Sequence, residues 1–224
     1  VHFPLAIRAT DATYEIQFGT VQRPTHENTP WDQARHEVPA QQWADLSEAG
    51  YGVALLNDCK YGYSARDNVL TMSLLRAPMH PDPEADQGAH TFTYALLPHA
   101  GDWRNGVIEQ ARRLNHPLRV RPVGGGGALP ATFALVTCDA PGVQIDTIKR
   151  AEDSGALIVR VYEAHGGRTR AALRFASPIT HAEEVNLLEE PLGAVEVAGD
   201  TLSCALAPYQ IRSFHVALGG LTGG

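Results

Sequence analysis

The sequence predicts an all-β chain built as two sandwich-type domains. Three observations carry that expectation: apolar residues recur with a period of two along most of the chain, Gly, Pro and Asn-Asp punctuate the runs, and a tetraglycine at Gly124 to Gly127 interrupts them. No strand or helix interior tolerates four glycines cheaply. The expected division is therefore residues 1–123, a β-sandwich portion with one short helix, and residues 128–224, a smaller terminal β-sandwich.

In the first domain the patterning predicts strands at 13–18, 35–38, 43–47, 52–57, 69–75 and 90–97. Alternation puts Phe92, Tyr94 and Leu96 on one face of the last. The segment PAQQW reads as a corner, with Trp43 as a core anchor. One helix is predicted at 102–114, where Asp102 can cap the N-terminus and Trp103, Val107, Ala111 and Leu114 fall on one stripe. Asn115 and Pro117 end it. The exposed side mixes charge signs, which suits packing rather than recognition. No Lys-Ser or Lys-Thr follows the glycines, so they do not form a phosphate loop. Beyond them the expected strands are 132–137, 143–149, 156–163, 170–175, 181–188, 194–197, 201–205 and 210–217, the spacing of an antiparallel sandwich.

Composition narrows the function. Among 224 residues, 44% are apolar and 19% charged, and no run approaches the roughly 18 apolar residues of a membrane span. A net charge of -7 argues against nucleic acid, whose binders display a basic stripe. Cys59, Cys138 and Cys204 are odd in number and far apart, so they read as free thiols of a reducing, cytoplasmic compartment. The chain opens on Val1 with no charged segment leading into an apolar one, and is expected to be a fragment entered mid-strand.

Function is best sought in residues 50–99, where apolar strands alternate with dense polar clusters. Asn57, Asp58, Lys60 and Tyr61 place donors, acceptors and an aromatic face on one turn, the chemistry that binds sugars, although a plain hairpin uses the same residues. Arg76 closes the apolar run VLTMSLL and needs a partner, either in the acidic segment PDPEAD or in a ligand or active-site carboxylate. Asp82, Glu84 and Asp86 of that segment could supply an acid and base for glycoside hydrolysis, or form a solvated turn. His80, His90 and His99 match no compact metal signature. Tyr162, Glu163 and His165 end a strand with no nucleophile beside them, which favours turn and strand-edge roles.

The string HENTPWDQARHEVPAQQWADLSEAGYGVALLNDCKYGYSARDNVLTMSLLRAP, with PDPEADQGAHTFTYALLPHAGDW after it, resembles the C-terminal β region of glycoside hydrolase family 38 α-mannosidases, especially the bacterial and cytosolic branch. VQIDTIKRAEDSGALIVRVYEAHGGRTRA, EVNLLE and APYQIRSF are similar to the terminal sandwich of the same branch, and the likeness runs over residues 14–214. It implies that the first domain is part of a galactose-mutarotase-like supersandwich. It also implies a retaining exo-α-mannosidase whose zinc ion and Asp nucleophile sit on an N-terminal α/β barrel, followed by a helical bundle.

No barrel lies within these residues. The resemblance therefore implies no catalytic residue, cofactor or metal ligand in this chain, which would be inactive alone and serve as scaffold and active-site rim. Arg76 matches an Arg that reaches toward the active site, and Asn57, Asp58, Lys60 and Tyr61 match the family's NDCKYG turn at the rim, where Asp82, Asp86 and His90 would join them. The implied partners are a mannoside or mannose-containing oligosaccharide and the catalytic barrel of the same polypeptide, with a homo-oligomer left open. A stand-alone carbohydrate-binding β module, or an interaction scaffold, is the alternative.

Overall fold

A computed structural model describes residues 1–125, 127 and 130–220, and the strand signal is realised there as four antiparallel sheets, two in each of the units Val1–Arg121 and Pro122–Gly224. The first unit runs β1 (His2–Pro4), β2 (Asp11–Ile16), β3 (Gly19–Pro24), α1 (Pro30–Ala34), β4 (Val38–Pro39), β5 (Trp43–Glu48), β6 (Tyr51–Asn57), β7 (Gly62–Arg66), β8 (Val69–Met72), β9 (Tyr94–Ala100) and α2 (Val107–Asn115). Its sheets have the orders β3-β2-β5-β6-β9 and β1-β8-β7-β4.

Alternation decides which side of each strand is buried. Tyr14, Ala44, Leu46, Val53 and Leu55 of the larger sheet share a core with Tyr63, Ala65, Leu70 and Met72 of the smaller one. On the other side of β5 and β6, Trp43 stacks on Trp103, with ring centroids 5.3 Å apart, and Val107, Ile108 and Ala111 of α2 are buried. Trp43 is thus a core anchor, as its position after the corner predicts.

Edge strand β9 breaks the pattern in an informative way. Tyr94, Leu96 and Pro98 pair with buried Asn57, Leu55 and Val53, which puts them on the core-facing side of the sheet. Tyr94 and Leu96 are nevertheless 39% and 42% exposed. The face they continue has a cover over β6 and lacks a full one over β9. Phe92 does not extend their stripe, because it precedes the strand.

Two expectations in this unit need correction. Residues 35–38 do not form a strand: β4 holds only Val38 and Pro39, and before it comes α1, opened by Pro30 and by a reciprocal box in which Thr29 Oγ1 accepts from Asp32 N–H and Asp32 Oδ2 accepts from Thr29 N–H. Local capping bonds at the helix start outweigh the weak β pattern. Nor does Asp102 cap α2. Its carboxylate accepts the N–H of Arg104 at 2.9 Å, closing a separate turn, and the helix begins after Gly106, whose φ of +90° only glycine adopts freely. Strands β1, β3 and β7 were not expected, since HFP, GTVQRP and GYSAR carry too few apolar alternations.

The second unit runs β10 (Val136–Cys138), β11 (Val143–Arg150), β12 (Leu157–Glu163), β13 (Thr169–Phe175), β14 (Ile179–Val185), β15 (Pro191–Ala194), β16 (Glu196–Ala198), β17 (Thr201–Leu206) and β18 (Ile211–Leu218). Sheets of order β10-β13-β17-β16 and β11-β12-β18-β14-β15 enclose Val159, Val161, Leu173, Phe175, Leu202, Phe214 and Val216. Glu163, at the end of β12, is fully buried and accepts the backbone N–H groups of His165, Gly166 and Tyr209 at 2.9, 2.8 and 3.1 Å. It is a loop clamp, in keeping with the turn role expected of it.

Candidate functional site

Strand β6 ends at Asn57 and β7 begins at Gly62, and the four residues between them project from the sheet as a tight turn. Asn57 builds that turn. Its Oδ1 accepts the N–H groups of Cys59, at 2.8 Å, and of Lys60, while its Nδ2 donates to the Gln41 carbonyl at 2.9 Å and to the Tyr63 hydroxyl. The Asn57 carbonyl in turn accepts Nδ2 of Asn115, at 3.0 Å, from the last turn of α2. One amide therefore ties together a corner, a turn and a helix end. At 1% exposure and with its amide spent internally, Asn57 shapes the site and does not offer its side chain to a ligand, contrary to the rim role expected of it.

The residues it positions line an open recess of about 180 Å³: Gln41, Gln42, Asp58, Cys59, Lys60, Tyr61 and Asn115, with Asn57 in its wall. Tyr61 is 65% exposed. Asp58 is held by Thr93, whose N–H reaches its Oδ1 at 3.0 Å, and that bond, with help from the Cys59 thiol, lowers the Asp58 pKa. The hydrogen bond from the Cys59 thiol to Asp58 raises the Cys59 pKa, which favours the protonated thiol. Lys60 lays its ammonium 4.5 Å from the centre of the Phe92 ring. Residues 92 and 93 thus brace the turn. The side-chain oxygen of Gln42, buried and without a hydrogen-bond partner among the described residues, is a free acceptor.

The corner that supplies Gln41 and Gln42 also binds a carboxyl group, that of Glu15, which accepts the Gln42 N–H. Burial pushes the Glu15 pKa up to about 7, against the opposing pull of the Gln42 N–H at 2.6 Å and of Arg112 and Trp43. Glu15 sits on a strand whose alternation marks it only as outward-facing. Its burial comes from the corner at Gln41 and Gln42 folding over it, which no local pattern announces.

Arg76 pairs with Glu37, which also accepts the Ser73 hydroxyl. The partner of Arg76 is therefore not in PDPEAD, since Glu37 belongs to the connection before β4. Glu37 lies against Gly62, where a Cβ would overlap its carboxyl, so this pair adjoins the start of β7 just after Tyr61. Its guanidinium side chain remains 68% exposed.

Asp82, Asp86 and His90 form a separate group in the irregular stretch between β8 and β9. Asp82 accepts the N–H of Glu84 at 2.9 Å, Asp86 that of Ala77 at 3.2 Å, and a ring nitrogen of His90 lies 2.7 Å from the Asp86 carbonyl. All three are exposed, and none lines the recess. The structure thus gathers Asp58, Lys60 and Tyr61 at one recess, sets Arg76 beside it through Gly62, and leaves the acidic segment as a self-bonded loop. Gln41, Gln42 and Asn115 complete the site without having been foreseen, because they arrive from a corner and a helix end.

Comparison with known proteins agrees with this architecture. Residues 1–84 match the glycosyl hydrolases family 38 C-terminal domain, and residues 142–214 the glycosyl hydrolases family 38 C-terminal beta sandwich domain. The chain is 47% identical to alpha-mannosidase 2C1 of Mus musculus across 97% of its own length and 22% of that protein's. It is 36% identical to an alpha-mannosidase of Saccharomyces cerevisiae, again over 97% of this chain and 22% of the relative. It therefore spans about a fifth of the curated relatives it matches. In fold it resembles an alpha-mannosidase from Enterococcus faecalis, with a TM-score of 0.78 at 22% identity, covering 96% of this chain and 25% of that one. With a family 38 domain matched within each of its two units, the chain belongs to glycosyl hydrolase family 38, as part of its C-terminal region.

Proposed function

We propose that this chain is the C-terminal β region of a retaining α-mannosidase, serving as scaffold and one wall of the active site, and that it does not hydrolyse mannosides alone. The observation that carries the reading is 36–47% identity, along nearly the whole chain, to proteins named as alpha-mannosidases of which it covers about a fifth. The exposed apolar stripe of Tyr94 and Leu96 supports it, since a half-covered core face suits docking against the rest of the same polypeptide, the N-terminal catalytic barrel.

The recess fits the rim role chemically. Tyr61 offers an aromatic face to a sugar ring, Lys60 and Gln41 offer donors, and Asp58 and Gln41 offer acceptors for hydroxyl groups. The substrate class is a terminal α-linked mannose on a mannoside or oligosaccharide. The zinc ion implied by the family does not fit these residues: no imidazole lines the recess, and its one carboxylate, Asp58, already gives one oxygen to the Thr93 N–H. Zinc is assigned to the catalytic barrel. Three free cysteines are consistent with a cytoplasmic setting, and among the described residues no helix is long and apolar enough to cross a membrane.

The test joins and separates the two parts. The polypeptide carrying both the catalytic barrel and this region is expected to release p-nitrophenol from p-nitrophenyl α-mannoside, and the 224 residues alone to release none. Turnover by the isolated chain, or no turnover by the joined polypeptide, overturns the reading. Tight mannose binding by the chain without the barrel would instead identify a self-sufficient carbohydrate-binding module.

A further inference from the structure

The second unit carries a cluster that the rim role does not use. His181 and Glu183 stand two residues apart on β14 and so share a face, and His215 of β18 is directly opposite Glu183 in the strand register. The neighbours of His215 in sequence, Phe214 and Val216, point into the sandwich core, so the cluster lies on the outer side of that sheet.

Its geometry suits a small cation. Glu183 Oε1 is 3.6 Å from His181 Nε2 and 3.9 Å from His215 Nδ1, and the three donor atoms all lie within 4.8 Å of one another. Tetrahedral zinc with bonds of about 2.0–2.1 Å needs its donors about 3.4 Å apart, so modest side-chain rotation closes the set. His215 adds the sharper clue. Its Nδ1 is buried with no hydrogen-bond partner among the described residues, while Nε2 lies 3.0 Å from the Ser154 hydroxyl. Donation of Nε2–H to Ser154 leaves Nδ1 as the lone-pair nitrogen aimed at Glu183, the arrangement by which an outer hydrogen bond orients a metal-ligating histidine.

The local charge points the same way. Lys149, in register with Ile158 and through it with His215, is neutralised by Glu152 and by Glu189, the latter at 2.8 Å. With Arg160 of the same face, bonded to Ser213, also counted, one net negative charge remains, equal to that of the Glu183 carboxylate, when both imidazoles are neutral. Two nitrogens and one oxygen suit zinc, whereas calcium and magnesium call for oxygen ligands throughout. His181, with 60% of its side chain exposed, leaves a fourth position open to water.

We propose that His181, Glu183 and His215 bind one zinc ion on the outer face of the terminal sandwich, with Ser154 as the positioning residue for His215. The metal-free 224-residue chain, titrated with zinc chloride by calorimetry, is expected to take up one equivalent at this site. His181→Ala and Glu183→Gln should each weaken that binding at least tenfold, while His116→Ala, an exposed histidine elsewhere, leaves it unchanged. Excess zinc should raise the melting temperature of the wild type and not of His181→Ala, and equal magnesium should have no effect. The proposal fails if no equivalent of zinc binds, or if the bound equivalent survives His181→Ala. Because His181 is exposed, that variant decides the matter even if His215→Ala does not fold.

Discussion

His99 lies across Gly52 with its Nε2 2.7 Å from Asp45 Oδ1, both side chains almost wholly buried on the helix-covered side of the larger sheet. Burial opposes a charge on the imidazole, but the Asp45 hydrogen bond and carboxylate outweigh it, and the His99 pKa is raised. The folded state therefore holds the proton more tightly than the unfolded chain. This contribution is complete below the ordinary histidine pKa of 6.5 and is lost as pH rises through the higher folded value. The melting temperature of the first unit should fall as pH is raised above about 6.5, and His99→Gln should flatten that slope. An unchanged slope in the variant would falsify the assignment.

Glu15 bends the same profile at lower pH. Its pKa rises from 4.5 to about 7 on folding, so the protonated form is favoured in the fold and stability declines as pH climbs between those values. Glu15→Gln removes the ionisation and should make stability less dependent on pH from 4.5 to 7, which melting curves at several pH values will report.

Replacing Asn57 tests the architecture of the recess. Asn57→Ala takes from the Cys59 and Lys60 N–H groups their acceptor, and from the Gln41 carbonyl and the buried Tyr63 hydroxyl their amide partner, and should cost about 3 kcal/mol in urea unfolding. A loss below about 1 kcal/mol would mean that the turn holds its shape by other bonds.

Glu163 gives a parallel case in the second unit. Its buried carboxylate satisfies three backbone N–H groups, so Glu163→Ala should destabilise that unit by about 3 kcal/mol or more. Hydrogen exchange should quicken at His165, Gly166 and Tyr209.

Arg76 separates rim from scaffold. An ion pair this exposed is worth less than about 1 kcal/mol, so in a polypeptide that also carries the proposed catalytic barrel Arg76→Ala should barely move the melting temperature while lowering the turnover that the rim role proposes. Unchanged turnover with a lower melting temperature would assign Arg76 to structure through Glu37.

Much of the architecture was legible from local pattern. Trp43 after its corner, the alternation of β5 and β6 and the strand-rich terminal region follow from periodicity, which reports burial directly. What escaped was set by groups distant in sequence or by local capping. Thr29 and Asp32 made a helix turn just before an expected strand, and Gly106 displaced the start of α2. The Asn57–Tyr61 turn was visible as a polar cluster, but whether each side chain faces a ligand or the protein was not. His181 and Glu183 show a same-face spacing on a strand, yet His215 joins them only across the β14–β18 ladder.

By itself the sequence determined an all-β chain, its anchor tryptophan and the segment that carries the polar turn, because strand periodicity and turn chemistry are properties of neighbouring residues. Tertiary structure alone decided that Asn57 is a buried strut, that Arg76 answers to Glu37, and that Gln41, Gln42 and Asn115 finish the recess. The physical reason is that hydrogen-bond partners and burial are fixed by chain segments tens of residues apart, which meet only when the sheets and helix close around them.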